Sequence, residues 1–175
     1  GFHSFLQKNR IPLESVMAKS WNKKIFKQID QQVNQASKDL AEERGACPDA
    51  AEYGYKERFS NKTAIAPTAS ISIICGGASP GVEPIAANSY THKTLSGSFN
   101  VRNKYLKKIL QKYNKDTDDV WSTITTNQGS VSHLSFLTAN EKDTFKTAFE
   151  IDQRWIVELG ADRTPHISQA QSVNI

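Results

Sequence analysis

Apolar residues recur at helical spacing along most of this chain, with clear stop signals between the runs. Phe2, Phe5 and Leu6 lie on one face of a short helix over Phe2–Gln7, and the turn Asn9-Arg10-Ile11-Pro12 ends it. From Ser15 onward, Trp21, Ile25, Ile29, Val33 and Leu40 keep helical spacing as far as Gly45 and Pro48. A glycine at the cap and a proline beyond it are helix stop signals, so this run predicts the longest helix. Residues 49–61 show no period and predict an exposed, mobile loop. Thr63-Ala64-Ile65-Ala66 predicts a short buried strand running into the turn Pro67-Thr68-Ala69-Ser70. Ile71, Ile73 and Ile74 then lead into Cys75–Gly81, where glycine and proline oppose regular structure. Leu106, Ile109, Leu110 and Tyr113 predict a helix capped by Asn103, and Val120, Trp121 and Ile124 predict another. Thr138-Ala139-Asn140-Glu141 has the spacing of a capping box. Phe145, Phe149, Ile156 and Leu159 extend the helix behind it to Gly160, and Pro165–Ser168 reads as a second short strand. Buried strands alternating with amphipathic helices indicate an α/β class with a parallel sheet or barrel, in a helix-rich segment with few short strands. Two strands cannot close a barrel alone.

Composition narrows the class. With 175 residues, 38% of them hydrophobic, the chain can bury one core or part of a larger one. Gly1 in place of Met, and an uncapped end at Ser172-Val173-Asn174-Ile175, lead us to expect a piece of a longer chain. No run reaches the roughly 18–20 apolar residues of a membrane span, and no leader pattern opens the chain, so a cytoplasmic protein without a membrane partner is expected. Cys47 and Cys75 form no CxxC pair and have no histidine at ligand spacing, which argues for reduced thiols and against structural zinc. The net charge of +4 arises from pairs such as Lys23-Lys24 and Lys107-Lys108, on helical patterns that also carry Asp or Glu. These are solvated faces; a nucleic-acid module would gather basic and aromatic residues on one side.

Few residues have the spacing that chemistry requires. Thr68, Ser70 and Ser72 offer hydroxyls, and the N–H groups of a small-residue turn beyond a strand can converge on an anion such as a phosphate. The same turn serves equally well to cap the next segment, and it lacks the Walker pattern. Glu83, between Val82 and Pro84, suits a cap or a main-chain acceptor better than a catalytic acid. His3, His92, His133 and His166 lack the spacing of a metal site. Cys75 beside Gly76-Gly77 has no cationic neighbour in sequence to activate it, so a buried, inert thiol is expected. No catalytic residue and no metal ligand is assigned.

Several motifs in one order carry a resemblance across essentially the whole chain. They are Ala66-Pro67-Thr68-Ala69-Ser70-Ile71-Ser72, Ser79-Pro80-Gly81-Val82-Glu83-Pro84, and the run from Tyr90-Thr91-His92-Lys93-Thr94 through Leu95-Ser96-Gly97-Ser98-Phe99. Asn103, Gly129-Ser130-Val131, Phe145-Lys146-Thr147-Ala148-Phe149-Glu150-Ile151 and Gln169-Ala170-Gln171-Ser172-Val173-Asn174 follow. The sequence resembles the large, catalytic subunit of class I ribonucleotide reductase. The resemblance implies a ten-stranded α/β barrel, of which residues 1–175 would be part of the C-terminal half. It implies reduction of ribonucleoside diphosphates by thiyl-radical chemistry, with Pro67, Thr68, Ala69, Ser70 and Ile71 as the substrate's diphosphate-binding loop. It also places the radical cysteine and redox cysteines outside this chain, and the radical cofactor in a separate small subunit. The implied partners are that subunit, the remainder of the large subunit, and thioredoxin or glutaredoxin as reductant. Alternatively, the chain is an inactive split or truncated piece that binds and completes a partner's barrel. Two departures stand out: Arg58-Phe59-Ser60-Asn61 replaces the family's frequent Gly-aliphatic-Arg-Asn, which points to a bacterial or phage type. Ile71 occupies a position that is often Thr, leaving its N–H as the available donor.

Overall fold

The computed structural model describes residues 1–95 and 97–175; Ser96, part of the Leu95–Phe99 run, lies outside the described residues. In chain order the helices are α1 (Phe2–Lys8), α2 (Val16–Arg44), α3 (Pro48–Glu52) and α4 (Ala69–Ile74). A hairpin of β1 (Ser89–Thr94) and β2 (Gly97–Arg102) follows, then α5 (Lys104–Lys112), α6 (Asp118–Thr126), α7 (Ala139–Thr144) and α8 (Gln153–Arg163). The chain divides into two compact units: residues 1–18, 67–155 and 173–175 form the first, and residues 19–66 and 156–172 the second.

In the first unit, Leu106, Ile109 and Leu110 of α5 pack with Trp121 and Ile124 of α6, and with Val131, Leu134, Leu137 and Phe145. The side chain of Asn103 caps α5 by accepting from the N–H groups of Tyr105 and Leu106, and Thr117 caps α6 through Val120 N–H. Inside this core the indole N–H of Trp121 donates to Asp116 at 2.7 Å, so its one polar atom is satisfied. The hairpin is antiparallel, with Ser89 opposite Arg102 and Thr91 opposite Asn100.

The second unit is built on α2, which ends where Gly45 adopts φ +83°, a conformation that suits glycine. Here Arg163 is 1% exposed, and its guanidinium donates to Asn22 at 3.0 Å and to Gln171 at 3.1 Å. Asn22 in turn donates to the Leu159 carbonyl, and the Arg163 head lies over the Phe26 ring. Burial pulls the Arg163 pKa down to about 10, so it remains a cation at neutral pH.

Six expectations are corrected. Thr63–Ala66 is not a buried strand: its residues are half-buried or exposed, and only a parallel bridge joins Ile65 to Gln171. Pro165–Ser168 is not a strand either, because Pro165 sits in a 3-10 turn over Thr164–His166. Among the described residues the sheet is the antiparallel hairpin, in place of the expected parallel strands. The helix expected from Thr138 to Gly160 breaks into α7 and α8, since Glu150 turns back to accept from the N–H and hydroxyl of Thr147 while Asp152 accepts from Arg154 N–H. Cys75 is exposed rather than buried, because it follows a helix that buries none of its residues. The segment 49–61 also contains α3, opened by Pro48.

Candidate functional site

The Pro67–Ile71 turn becomes the start of α4. Thr68 adopts the left-handed conformation at φ +53°, and its hydroxyl accepts from Gly81 N–H at 2.7 Å. This bond fastens the turn to the Ser79–Pro84 segment. That segment is held to α1 in turn: Ser4 N–H donates to Ser79 Oγ at 3.0 Å, Ser79 N–H donates to Ser4 Oγ at 2.8 Å, and Phe2 N–H donates to the Gly81 carbonyl. Beyond the turn, Ala69, Ser70 and Ile71 are exposed, and their N–H groups occupy the first turn of α4, where no preceding carbonyl can pair with them. Ser72 is different. Its hydroxyl donates to the Ala69 carbonyl at 2.6 Å, so of the three candidate hydroxyls it is committed within the helix. Gly76 and Gly77, at φ +75° and +66°, then reverse the chain, and Lys104 donates to the Gly76 carbonyl at 3.1 Å.

Beside this turn lies a cavity of about 450 Å³. Ala69, Ser72 and Ile73 of α4 form one wall, Ser4 and Gln7 of α1 another, and Ile85–Asn88 with Tyr90 and Val101–Asn103 complete it. Among the described residues the lining carries no carboxylate and one cation, Arg102. Its floor is a relay of three amides. Asn103 Nδ2 donates to Asn88 Oδ1 at 2.8 Å and to Gln7 Oε1 at 3.0 Å, while Asn88 Nδ2 donates to the carbonyls of Gly129 and Phe145. Of these residues, Asn103 was legible in the sequence as a helix cap. Gln7 and Asn88 were not, because a single amide carries no spacing signal.

Glu83 stands apart from this wall. It is 9% exposed, and its carboxylate accepts from the main-chain N–H and side-chain amide of Asn174 at 2.9 Å. That is the main-chain acceptor role expected from its place beside Pro84. The histidines do not converge. His3 is buried and accepts from Ile85 N–H at 3.0 Å, His133 bonds Thr123, and His166 lies 3.6 Å from Asp30. Among the described residues no three His, Cys, Asp or Glu side chains gather at metal-binding distance, and no helix is long and apolar enough to cross a membrane.

Comparison with known proteins places this geometry in a family. The ribonucleotide reductase barrel domain matches residues 1–57 and 49–175. A ribonucleoside-diphosphate reductase large subunit of Invertebrate iridescent virus 3 is 46% identical over all of this chain, which spans 28% of that protein. A putative large subunit of Frog virus 3 is 41% identical, again over the whole chain and 30% of the relative. Among solved structures, the class Id ribonucleotide reductase alpha subunit of Actinobacillus ureae superposes with a TM-score of 0.91 at 39% identity, covering all of this chain and 31% of its own. The chain therefore belongs to the ribonucleotide reductase barrel-domain family. It spans under a third of the length of each of these relatives.

Proposed function

We propose that this chain is the phosphate-binding part of a ribonucleoside-diphosphate reductase large subunit, an enzyme that converts ribonucleoside diphosphates to deoxyribonucleoside diphosphates by thiyl-radical chemistry. The observation that carries the reading is the exposed first turn of α4, opening beside a cavity free of carboxylates. A diphosphate is held there by the N–H groups of Ala69, Ser70 and Ile71 and by the Ser70 hydroxyl. Thr68 keeps the turn in place through Gly81, and Pro67 leads the chain into it. Residues 1–175 supply part of the C-terminal half of a ten-stranded α/β barrel. The exposure of Ile71, Ile73 and Ile74, at 59%, 52% and 85%, supports a surface that further barrel elements cover.

The chain itself contributes binding and orientation. The radical cysteine, its reductant pair and the radical-bearing small subunit are supplied from outside it, and thioredoxin or glutaredoxin returns the electrons in the cytoplasm. No residue among the 175 is assigned a bond-making role. The test is turnover. The purified chain forms no deoxynucleotide from any ribonucleoside diphosphate, whereas the complete large subunit with its small subunit and a dithiol does. Deoxynucleotide formation by the chain alone, or none by the complete assembly, contradicts the proposal.

A further inference from the structure

Thr68 stands in a conformation that its side chain disfavours. At φ +53° it is left-handed, and a β-branched residue occupies that region only against steric strain. Such strain persists where the surroundings over-determine it, and it gathers at segments whose geometry has a use. The restraint on Thr68 is the hydrogen bond that its hydroxyl accepts from Gly81 N–H at 2.7 Å, so the turn is only as well placed as Gly81 is. Gly81 in turn is seated on α1. Phe2 N–H donates to the Gly81 carbonyl at 3.0 Å, and a methyl group on Gly1 would meet that carbonyl, 2.9 Å from its carbon. The two backbones therefore touch, with no side chain between them.

Two residues before Gly81, Ser79 and Ser4 exchange hydrogen bonds. Ser4 N–H donates to Ser79 Oγ at 3.0 Å, and Ser79 N–H donates to Ser4 Oγ at 2.8 Å. Both serines are buried, so removing either hydroxyl leaves a main-chain donor that water does not satisfy. Ser79 does not line the cavity and so meets no ligand there. We infer that Ser79 is a positioning residue for substrate binding: paired with Ser4, it fixes Gly81 on α1, and through Gly81 it holds Thr68 in the left-handed conformation that sets the diphosphate turn. The inference rests on the phosphate-loop reading above and assigns a residue outside that loop. Because Ser79 acts through Gly81 and Thr68, it contributes to affinity for the phosphates and not to any bond-making step.

The test uses the complete large subunit with its small subunit and a dithiol. Ser79→Ala removes the hydroxyl and adds no bulk. It is expected to raise KM for a ribonucleoside diphosphate roughly three- to tenfold, and to weaken inorganic pyrophosphate binding by a similar factor, while kcat at saturating substrate stays at the wild-type value. Wild-type KM and pyrophosphate affinity overturn the inference even if the variant melts earlier, because a merely structural role shows only in stability. A fall in kcat with KM unchanged overturns it as well. Ser70→Val separates the two readings. If it loses pyrophosphate while Ser79→Ala does not, only the Ser79 assignment fails; if Ser70→Val retains pyrophosphate, the phosphate loop fails and this inference with it. Should Ser79→Ala not fold, Ser4→Ala tests the same pair from α1 with the same expected and contradicting results. Failure of both variants to fold marks the pair as a requirement of the fold and overturns the assignment.

Discussion

His3 shows how one buried side chain sets a pH limit on the first unit. Its Nδ1 accepts from Ile85 N–H, and burial pushes its pKa down to about 3, so it is neutral in the folded protein. In the unfolded chain a histidine titrates near 6.5, and between these values the unfolded state binds the extra proton. Stability from this group is therefore complete above about pH 6.5 and falls as pH drops toward 3, at about 1.4 kcal/mol per unit. Urea unfolding is expected to show a loss of about 2 kcal/mol between pH 7 and 5, and His3→Gln should flatten that slope. Parallel slopes for the two proteins would count against it. The sequence placed His3 outside any metal site but gave no sign of its burial, since a single histidine near a short amphipathic stretch suits surface and core alike. The exposure of Cys75 and the inward turn of the Ser72 hydroxyl are illegible for a related reason. Whether a hydroxyl turns onto its own helix, or a thiol faces solvent, depends on packing that spacing does not encode.

At the scale of elements, signals that act within a few residues are legible in the sequence and long-range ones are not. The caps at Asn103 and Thr138 hold: Asn103 caps α5, and the Thr138–Glu141 capping box forms with both of its bonds. Both are interactions within four residues. The break between α7 and α8 could have been found, because Thr147-Ala148-Phe149-Glu150 repeats the capping-box spacing inside the supposed helix. The hairpin escaped notice because β2 is exposed along its first four residues, so no apolar alternation marks it. Gly129 ties these elements together. It adopts φ +81°, its carbonyl accepts from the main-chain and side-chain N–H groups of Asn88, and a methyl group on it would fall 2.6 Å from Ala87 Cα and 2.9 Å from Asn88 N. Both atoms are backbone and cannot swing aside. Gly129→Ala should cost about 2–4 kcal/mol, combining left-handed strain with overpacking, and lower the melting temperature by roughly 4–16 °C. An unchanged melting temperature would show that the segment around Ala87 yields freely.

At the scale of the molecule, the chain is one stretch of a family whose compared members are more than three times as long. The sequence was sufficient for the family, because several independent motifs in register are far more specific than any one of them. It was insufficient for the sheet, because β2 is exposed along its first four residues and carries no apolar alternation that would mark the hairpin. In the proposed function the turn beginning α4 holds the diphosphate, while Glu83 holds the chain near Asn174. Substrate affinity of Ser70→Val and Glu83→Gln in the complete large subunit tests that division of labour directly. Losing one charge-assisted hydrogen bond of roughly 1.5–3 kcal/mol should weaken ribonucleoside diphosphate binding about ten- to a hundredfold in Ser70→Val, and Glu83→Gln should bind nearly as the wild type does. Wild-type affinity in Ser70→Val, together with a loss in Glu83→Gln, would contradict the placement of the phosphate site.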